Sequence, residues 1–402
     1  MNNNSLAFFE LLRAGLFPVQ GERLKVNGLP LKLSSSVDWE TVYKLAEEQS
    51  VVGLIAAGID SLPPAERPPQ EFLLQFVGST LQIEKRNRAM NEFVARLIER
   101  LRKDEVCAIL VKGQGIAQCY EKPLWRASGD IDLLLSEDNY EKAKKLLIPL
   151  ASDVETEYKK LKHLGMTMKE GFVVELHGTL HSRLSKRVDS VIDEAQKDVF
   201  FAGNVRSEEF KSTSGSRLAS PTIDATQQSS SELGSALAAP TVQVFLPSPN
   251  NDVIFVFTHI LHHFFIEGIG LRQICDWCRL LYTYKDSLNH GLLESRIRKA
   301  GLMSEWKAFA ALAVNWLGMP AEAMPLYSAD KKWSKKAERI MAFVLECGNF
   351  GHNRQTASGK MASAWYKLRD FARHSLVFPI DSIKFFWHFL WDGIDLSVTN
   401  DK

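Results

Sequence analysis

The chain has 402 residues, of which 45% are hydrophobic and 24% charged, with a formal net charge of +1. That length provides for two or three domains around a sizeable core. The near-neutral balance excludes a whole-protein attraction to nucleic acid or anionic membrane, and five thinly spread cysteines (Cys107, Cys119, Cys275, Cys278, Cys347) argue against a disulfide framework.

The opening Met1-Asn2-Asn3-Asn4-Ser5 lacks the charged and apolar regions of a signal peptide. No window holds the roughly 20 apolar residues of a membrane span, so the expected location is cytoplasmic. The first hundred residues read as helical. Asp38-Trp39-Glu40 predicts a helix start, with Trp39, Val42, Tyr43 and Ala46 on one face. Pro63, Pro64, Pro68 and Pro69 then break the chain. A long helix follows from about Glu71 to Lys103, with Leu74, Phe76, Val77, Leu81, Ile83, Met90, Phe93, Val94 and Leu97 as its apolar stripe.

At Val106 the pattern changes. Val106 to Val111 predicts a short buried strand, followed by the turn Lys112-Gly113-Gln114-Gly115 and a helix over Ile116 to Tyr120. A second strand begins at Asp130, Tyr140 to Leu150 is amphipathic and helical, and Phe172 to His177 predicts another strand. This alternation describes an α/β (α+β) unit. From Gly203 to Thr241 large apolar residues are scarce and Ser, Thr and Gln accumulate, the composition of a flexible insertion. Beyond Pro249 the chain reads as helical and aromatic. The expected organisation is an N-terminal helical domain over 1–104, an α/β core over 105–202, the insertion over 203–241 and a C-terminal helical domain over 242–402.

Within Gly129-Asp130-Ile131-Asp132-Leu133-Leu134-Leu135, strand alternation points Asp130 and Asp132 the same way and Ile131, Leu133 and Leu135 the other. Two aligned carboxylates suit Mg²⁺, which takes carboxylates together with substrate phosphates. In Phe172-Val173-Val174-Glu175-Leu176-His177 the same alternation puts Glu175 on one face with Val173 and His177. If that strand lies beside Asp130, Glu175 completes a set of three carboxylates able to hold two Mg²⁺ ions; otherwise it is a half-exposed strand residue. Gly113 and Gly115 would let backbone N–H groups approach a phosphate and Lys112 would add a point charge, although an ordinary strand-to-helix turn has the same composition. Arg126 would reach a phosphate oxygen or form a surface ion pair.

Elsewhere, His259 and His263 share a helical i, i+4 spacing without the glutamate of a metalloprotease motif. Cys275 and Cys278 form a single CxxC, which reads as core cysteines unless the histidines fold onto it to hold zinc. The histidines would otherwise line a cleft. Asp276 and Arg272 suit an intrahelical pair. The C-terminal aromatics Trp365, Phe371, Phe378, Phe385, Phe386, Trp387, Phe389 and Trp391 suit either a buried helix pair or a peripheral membrane or protein contact.

Leu110-Val111-Lys112-Gly113, Tyr120, Pro123, Arg126, Gly129-Asp130-Ile131-Asp132-Leu133-Leu134 and Val174-Glu175-Leu176-His177 together resemble the uncharacterised bacterial nucleotidyltransferase family of the DNA polymerase beta-like superfamily. The resemblance runs from about Asp38 to Pro320, taking in Trp39, His259, His263 and Leu271 to Trp277, with the Ser/Thr-rich stretch as an insertion. It implies a small mixed-sheet core flanked by N-terminal and C-terminal helical domains. The implied activity is transfer of NMP from an NTP such as ATP to an acceptor, with Mg²⁺ or Mn²⁺. Asp130, Asp132 and Glu175 would be the catalytic and metal-binding residues, and Lys112, Gly113, Gly115, Arg126 and His177 would bind nucleotide. One departure is the turn itself, where Lys112-Gly113-Gln114 replaces the usual Gly-Ser or Gly-Gly. That departure leaves one alternative beside the transferase, a catalytically inactive nucleotide sensor or partner-binding protein on the same fold, and the aromatic C-terminus leaves another, a helical interaction protein with a vestigial sheet. The acceptor, whether protein or small molecule, is not specified by the sequence, and the near-neutral charge weighs against long nucleic acid.

Overall fold

The computed structural model describes residues 3–17, 25–26, 29–30, 37–211, 241–266, 268–348 and 360–385. The N-terminal helices are α1 (Asn3–Leu16), α2 (Trp39–Glu48), α3 (Val52–Asp60) and α4 (Gln70–Lys103), with a short strand pair, β1 (Lys25–Val26) and β2 (Leu29–Pro30), between the first two. Asp38 caps α2 as its position predicts, accepting hydrogen bonds from the Glu40 and Thr41 backbone N–H groups at 3.1 and 3.3 Å. Pro69 immediately precedes α4, where a missing N–H does not break the ladder.

The central sheet has seven strands: β3 (Ala108–Val111), β4 (Asp130–Leu135), β5 (Ala151–Val154), β6 (His163–Met168), β7 (Val173–His177), β8 (Val205–Lys211) and β9 (Thr241–Pro247). Their order across the sheet is β5-β6-β7-β4-β3-β9-β8. β4 runs parallel to β7, with Asp132 opposite Glu175, and antiparallel to β3. The intervening helices are α5 (Gly113–Ala117), α6 (Glu137–Leu147) and α7 (Lys186–Phe201). β5, β6, β8 and β9 are not among the predicted strands. Val205–Lys211 is polar along most of its length, yet it pairs over seven residues with β9, so the expected insertion contributes a strand at its start; 212–240 lie outside the described residues.

The two sheet faces bury different partners. Leu110, Ile131, Leu133, Leu135, Val174 and Leu176 pack with the C-terminal half of α4 and with Tyr140, Ala143 and Leu147 of α6. The alternation predicted for the Asp130 strand therefore holds, because its apolar members meet this helical layer. Only part of the predicted α4 stripe is covered: Met90, Phe93, Val94 and Leu97 are buried, whereas Leu74, Val77 and Leu81 are exposed.

Ile109, Val111 and Leu134 face the opposite layer. That layer is built from α1–α3 together with α8 (Pro249–Ile266), α9 (Leu271–Thr283), α10 (His290–Ala300), α11 (Met303–Leu317) and α12 (Lys331–Cys347). Helices from the two ends of the chain share this core. Phe9 packs edge-on against Trp316 at 5.2 Å, and the Gln49 side chain donates to Val344 O and accepts from Leu271 N. A further helix, α13 (Lys360–Val377), follows, residues 379–385 are again helical, and Phe378 and Phe385 are buried. Phe386, Trp387, Phe389 and Trp391 lie outside the described residues. No described helix is long and apolar enough to cross a membrane.

Candidate active site

The carboxylate face of β4 and β7 opens into a cleft of about 450 Å³, with α8 and α9 as its roof. That volume is within the range of small-molecule sites. Lys112, Gly113, Arg126, Asp130, Asp132, Glu175 and His177 all line it. The parallel register is the cause: Asp132 and Glu175 are direct cross-strand partners, and Asp130 and His177 extend the same face by one alternation each way.

Asp132 is almost fully buried and accepts from the Lys112 ammonium at 2.8 Å and meets His177 Nε2 at 2.8 Å. Burial alone would raise its carboxyl, but Lys112 and His177 outweigh burial and hold it below the usual value. Glu175 Oε2 lies 3.2 Å from His163 Nε2 and 3.4 Å from His177 Nε2, and against burial these contacts hold it far below the carboxylate range. Asp130 behaves oppositely. The charge of Asp132, then burial and Glu175, push its carboxyl up. Three carboxyl groups thus share one end of the cleft, two held ionised by Lys112 and the histidines and one pushed up by its neighbours, an oxygen set that fits a hard divalent cation.

Lys112 reaches this position through an unusual backbone. Its φ is +56° and ψ −145°, a conformation L-residues avoid, followed by Gly113 at φ +34°. Such strain persists only where the surroundings hold it, and here it carries the ammonium onto Asp132. Burial opposes the charge, yet Asp132 and Glu175 keep the Lys112 pKa raised.

Two of the residues expected to bind nucleotide have close protein partners in the structure. Gly115 does not line the cleft; a Cβ there would run into the Leu246 side chain of β9, so its smallness serves helix-to-sheet packing. Arg126 lines the cleft, and its guanidinium clamps both oxygens of Asp276 and donates to Ala127 O and Ser128 Oγ, a buried pair where the alternative reading expected a surface one. Cys275 and Cys278 are buried in the helical core, away from His259 and His263, which face the cleft.

His163 and Arg272 escaped the sequence reading as cleft residues, whereas His259 and His263 line the cleft as one of its alternatives expected. His163 comes from β6, an unpredicted strand, and its ring stacks on His177 at 4.8 Å. Arg272, assigned above to an intrahelical pair, lines the cleft and donates to Ala127 O. His259 is partly buried at the cleft wall, and desolvation together with Lys112 and His263 pushes its imidazole well below the ordinary value. The helical spacing of His259 and His263 was a usable signal; nothing local pointed to His163.

Residues 35–209 and 217–318 match the profile of a protein family described as uncharacterised nucleotidyltransferase. No curated protein and no solved structure matches the chain.

Proposed function

The chain belongs to this uncharacterised nucleotidyltransferase family, and from that premise we propose that the cleft transfers NMP from an NTP to an acceptor oxygen or nitrogen with a divalent cation's help. The observation that carries the reading is the parallel register that sets Asp132 against Glu175, with Asp130 on the same face and Lys112 aimed into it.

Asp130, Asp132 and Glu175 would hold the cation. When bound, Mg²⁺ or Mn²⁺ supplies charge neutralisation to the triphosphate and to the departing pyrophosphate. Glu175, held strongly ionised, suits ligation better than proton abstraction, since a general base works best with a pKa near the working pH. Lys112 would move from Asp132 to the triphosphate once the cation takes over the carboxylate charge. Gly113 keeps the turn free of a side chain beside Asp130 O. Arg126 and Asp276 would hold the wall against which the nucleotide lies, so that positioning supplies much of the rate.

The test is incubation of the full chain with each α-labelled NTP, Mg²⁺ or Mn²⁺ and native cell extract. A labelled acceptor that disappears with Asp132→Asn supports the reading. Labelling that survives Asp132→Asn undiminished overturns it; loss of at least about 100-fold is the expected scale for removing a preorganised charge.

A further inference from the structure

We propose that His163, Glu175 and His177 form a site for an imidazole-preferring divalent transition metal ion, beside the oxygen-rich pair Asp130 and Asp132. The antiparallel register of β6 and β7 sets His163 opposite His177. Both imidazoles turn Nε2 toward Glu175 Oε2, at 3.2 and 3.4 Å, and one donor atom from each of the three residues falls within 4.8 Å of the others. Ligands bound at ~2.1 Å around a tetrahedral ion lie ~3.4 Å apart, so the two contacts to Glu175 already have the spacing of neighbouring ligands.

The donors are held before any ion arrives. His163 is braced by its stack on His177 and by Tyr158, whose ring lies 6.1 Å away and whose backbone bridges to it. His177 Nε2 also meets Asp132 Oδ1 at 2.8 Å, a contact that a bound ion would replace. All three donors border the cleft, so positions not taken by protein face the space a triphosphate would enter. Two imidazoles and one carboxylate match Zn²⁺, Mn²⁺, Co²⁺ or Fe²⁺ better than Mg²⁺, which prefers an all-oxygen shell.

This site shares Glu175 with the transfer reaction and deepens that reading by giving one of its cations a separate identity. The probe is Co²⁺ titrated into the full chain after chelator treatment, with visible absorption as the readout. Saturation near one equivalent, displacement by Zn²⁺ and resistance to excess Mg²⁺ are expected. Loss of outer partners of a metal site weakens binding about 10–100-fold, so His163→Ala and His177→Ala should each weaken Co²⁺ by at least that factor. His163→Cys distinguishes ligation from a folding effect, because a bound Co²⁺ should then gain a thiolate charge-transfer band in the near ultraviolet. Co²⁺ affinity unchanged by His163→Ala, or His163→Cys without that band, overturns the site. Asp130→Asn should abolish NTP labelling yet retain Co²⁺, so the metal site and the transfer reaction can fail separately.

Discussion

Arg126 and Asp276 form a bidentate ion pair across 150 residues of chain, with Nε to Oδ1 at 2.9 Å and Nη2 to Oδ2 at 2.6 Å. Both side chains are buried, and the Tyr120 hydroxyl donates to the same Asp276 Oδ1 at 2.7 Å. The pair fastens the loop before β4 to α9, so the strand bearing the carboxylates is fixed against the helical roof.

Removing one member of this pair strands a buried charge. Arg126→Ala is expected to destabilise the fold by about 3–5 kcal/mol in urea titration. Arg126→Lys should recover little of that, since an ammonium cannot reproduce the planar fork. Replacing both partners, as Arg126→Met with Asp276→Leu, should be less damaging than the sum of the two single changes.

Asp130 stands in a different relation to stability. Its folded-state carboxyl is raised, chiefly by the charge of Asp132, so the folded protein binds more protons there than the unfolded chain. The associated stability is present at acid pH, below the ordinary value of 3.8, and is lost as pH rises through the raised value. Asp130→Asn should therefore melt above the parent protein at neutral pH, with the gap narrowing on acidification. The same variant should lose NTP labelling. Thermal melts at both pH values, paired with the labelling assay, check the prediction.

Lys112 offers a separation of charge from backbone strain. Lys112→Ala and Lys112→Gly both remove the ammonium from Asp132, and each should destabilise the protein by about 3 kcal/mol or more in the absence of metal. At φ +56° alanine retains the steric conflict that glycine lacks. Lys112→Gly is expected to be the more stable of the two by about 1 kcal/mol, read from denaturant midpoints. Mg²⁺ should raise the melting temperature of both variants more than that of the parent, because Asp132 then lacks its internal cation.

His259 predicts a dependence of the opposite sign. Its imidazole is held well below 6.5 in the folded state, so the unfolded chain binds the proton first. Stability from this residue is present above 6.5 and is lost as pH falls below it. In His259→Gln the loss of stability just below that pH should be shallower, as measured by urea midpoints across the range.

Local chemistry made much of the site legible. Strand alternation is enforced by backbone geometry, so Asp130 and Asp132 had to share a face opposite Ile131, Leu133 and Leu135, and Glu175 had to share one with His177. The proline pairs and the Asp38 cap likewise act within a few residues and marked the helix boundaries. The family resemblance rested on these same local motifs, and the profile match bears out the family.

Tertiary structure decided what those local faces meet. Periodicity within a strand carries no information about its neighbour, so only the packed sheet places Glu175 opposite Asp132 rather than on another edge. β6 was hidden because His163-Leu164-Gly165-Met166-Thr167-Met168 lacks clean alternation and takes its partners from β5 and β7. With it His163 was hidden. Gly115 and Arg126 were read in sequence as phosphate contacts, and only the folded chain shows Leu246 packed close to the one and Asp276 paired with the other. Sequence by itself determined which side chains share a strand face, because that is a property of the backbone repeat. Which faces meet was settled only when two hydrophobic layers closed on the sheet and brought residues distant in the chain into one cleft.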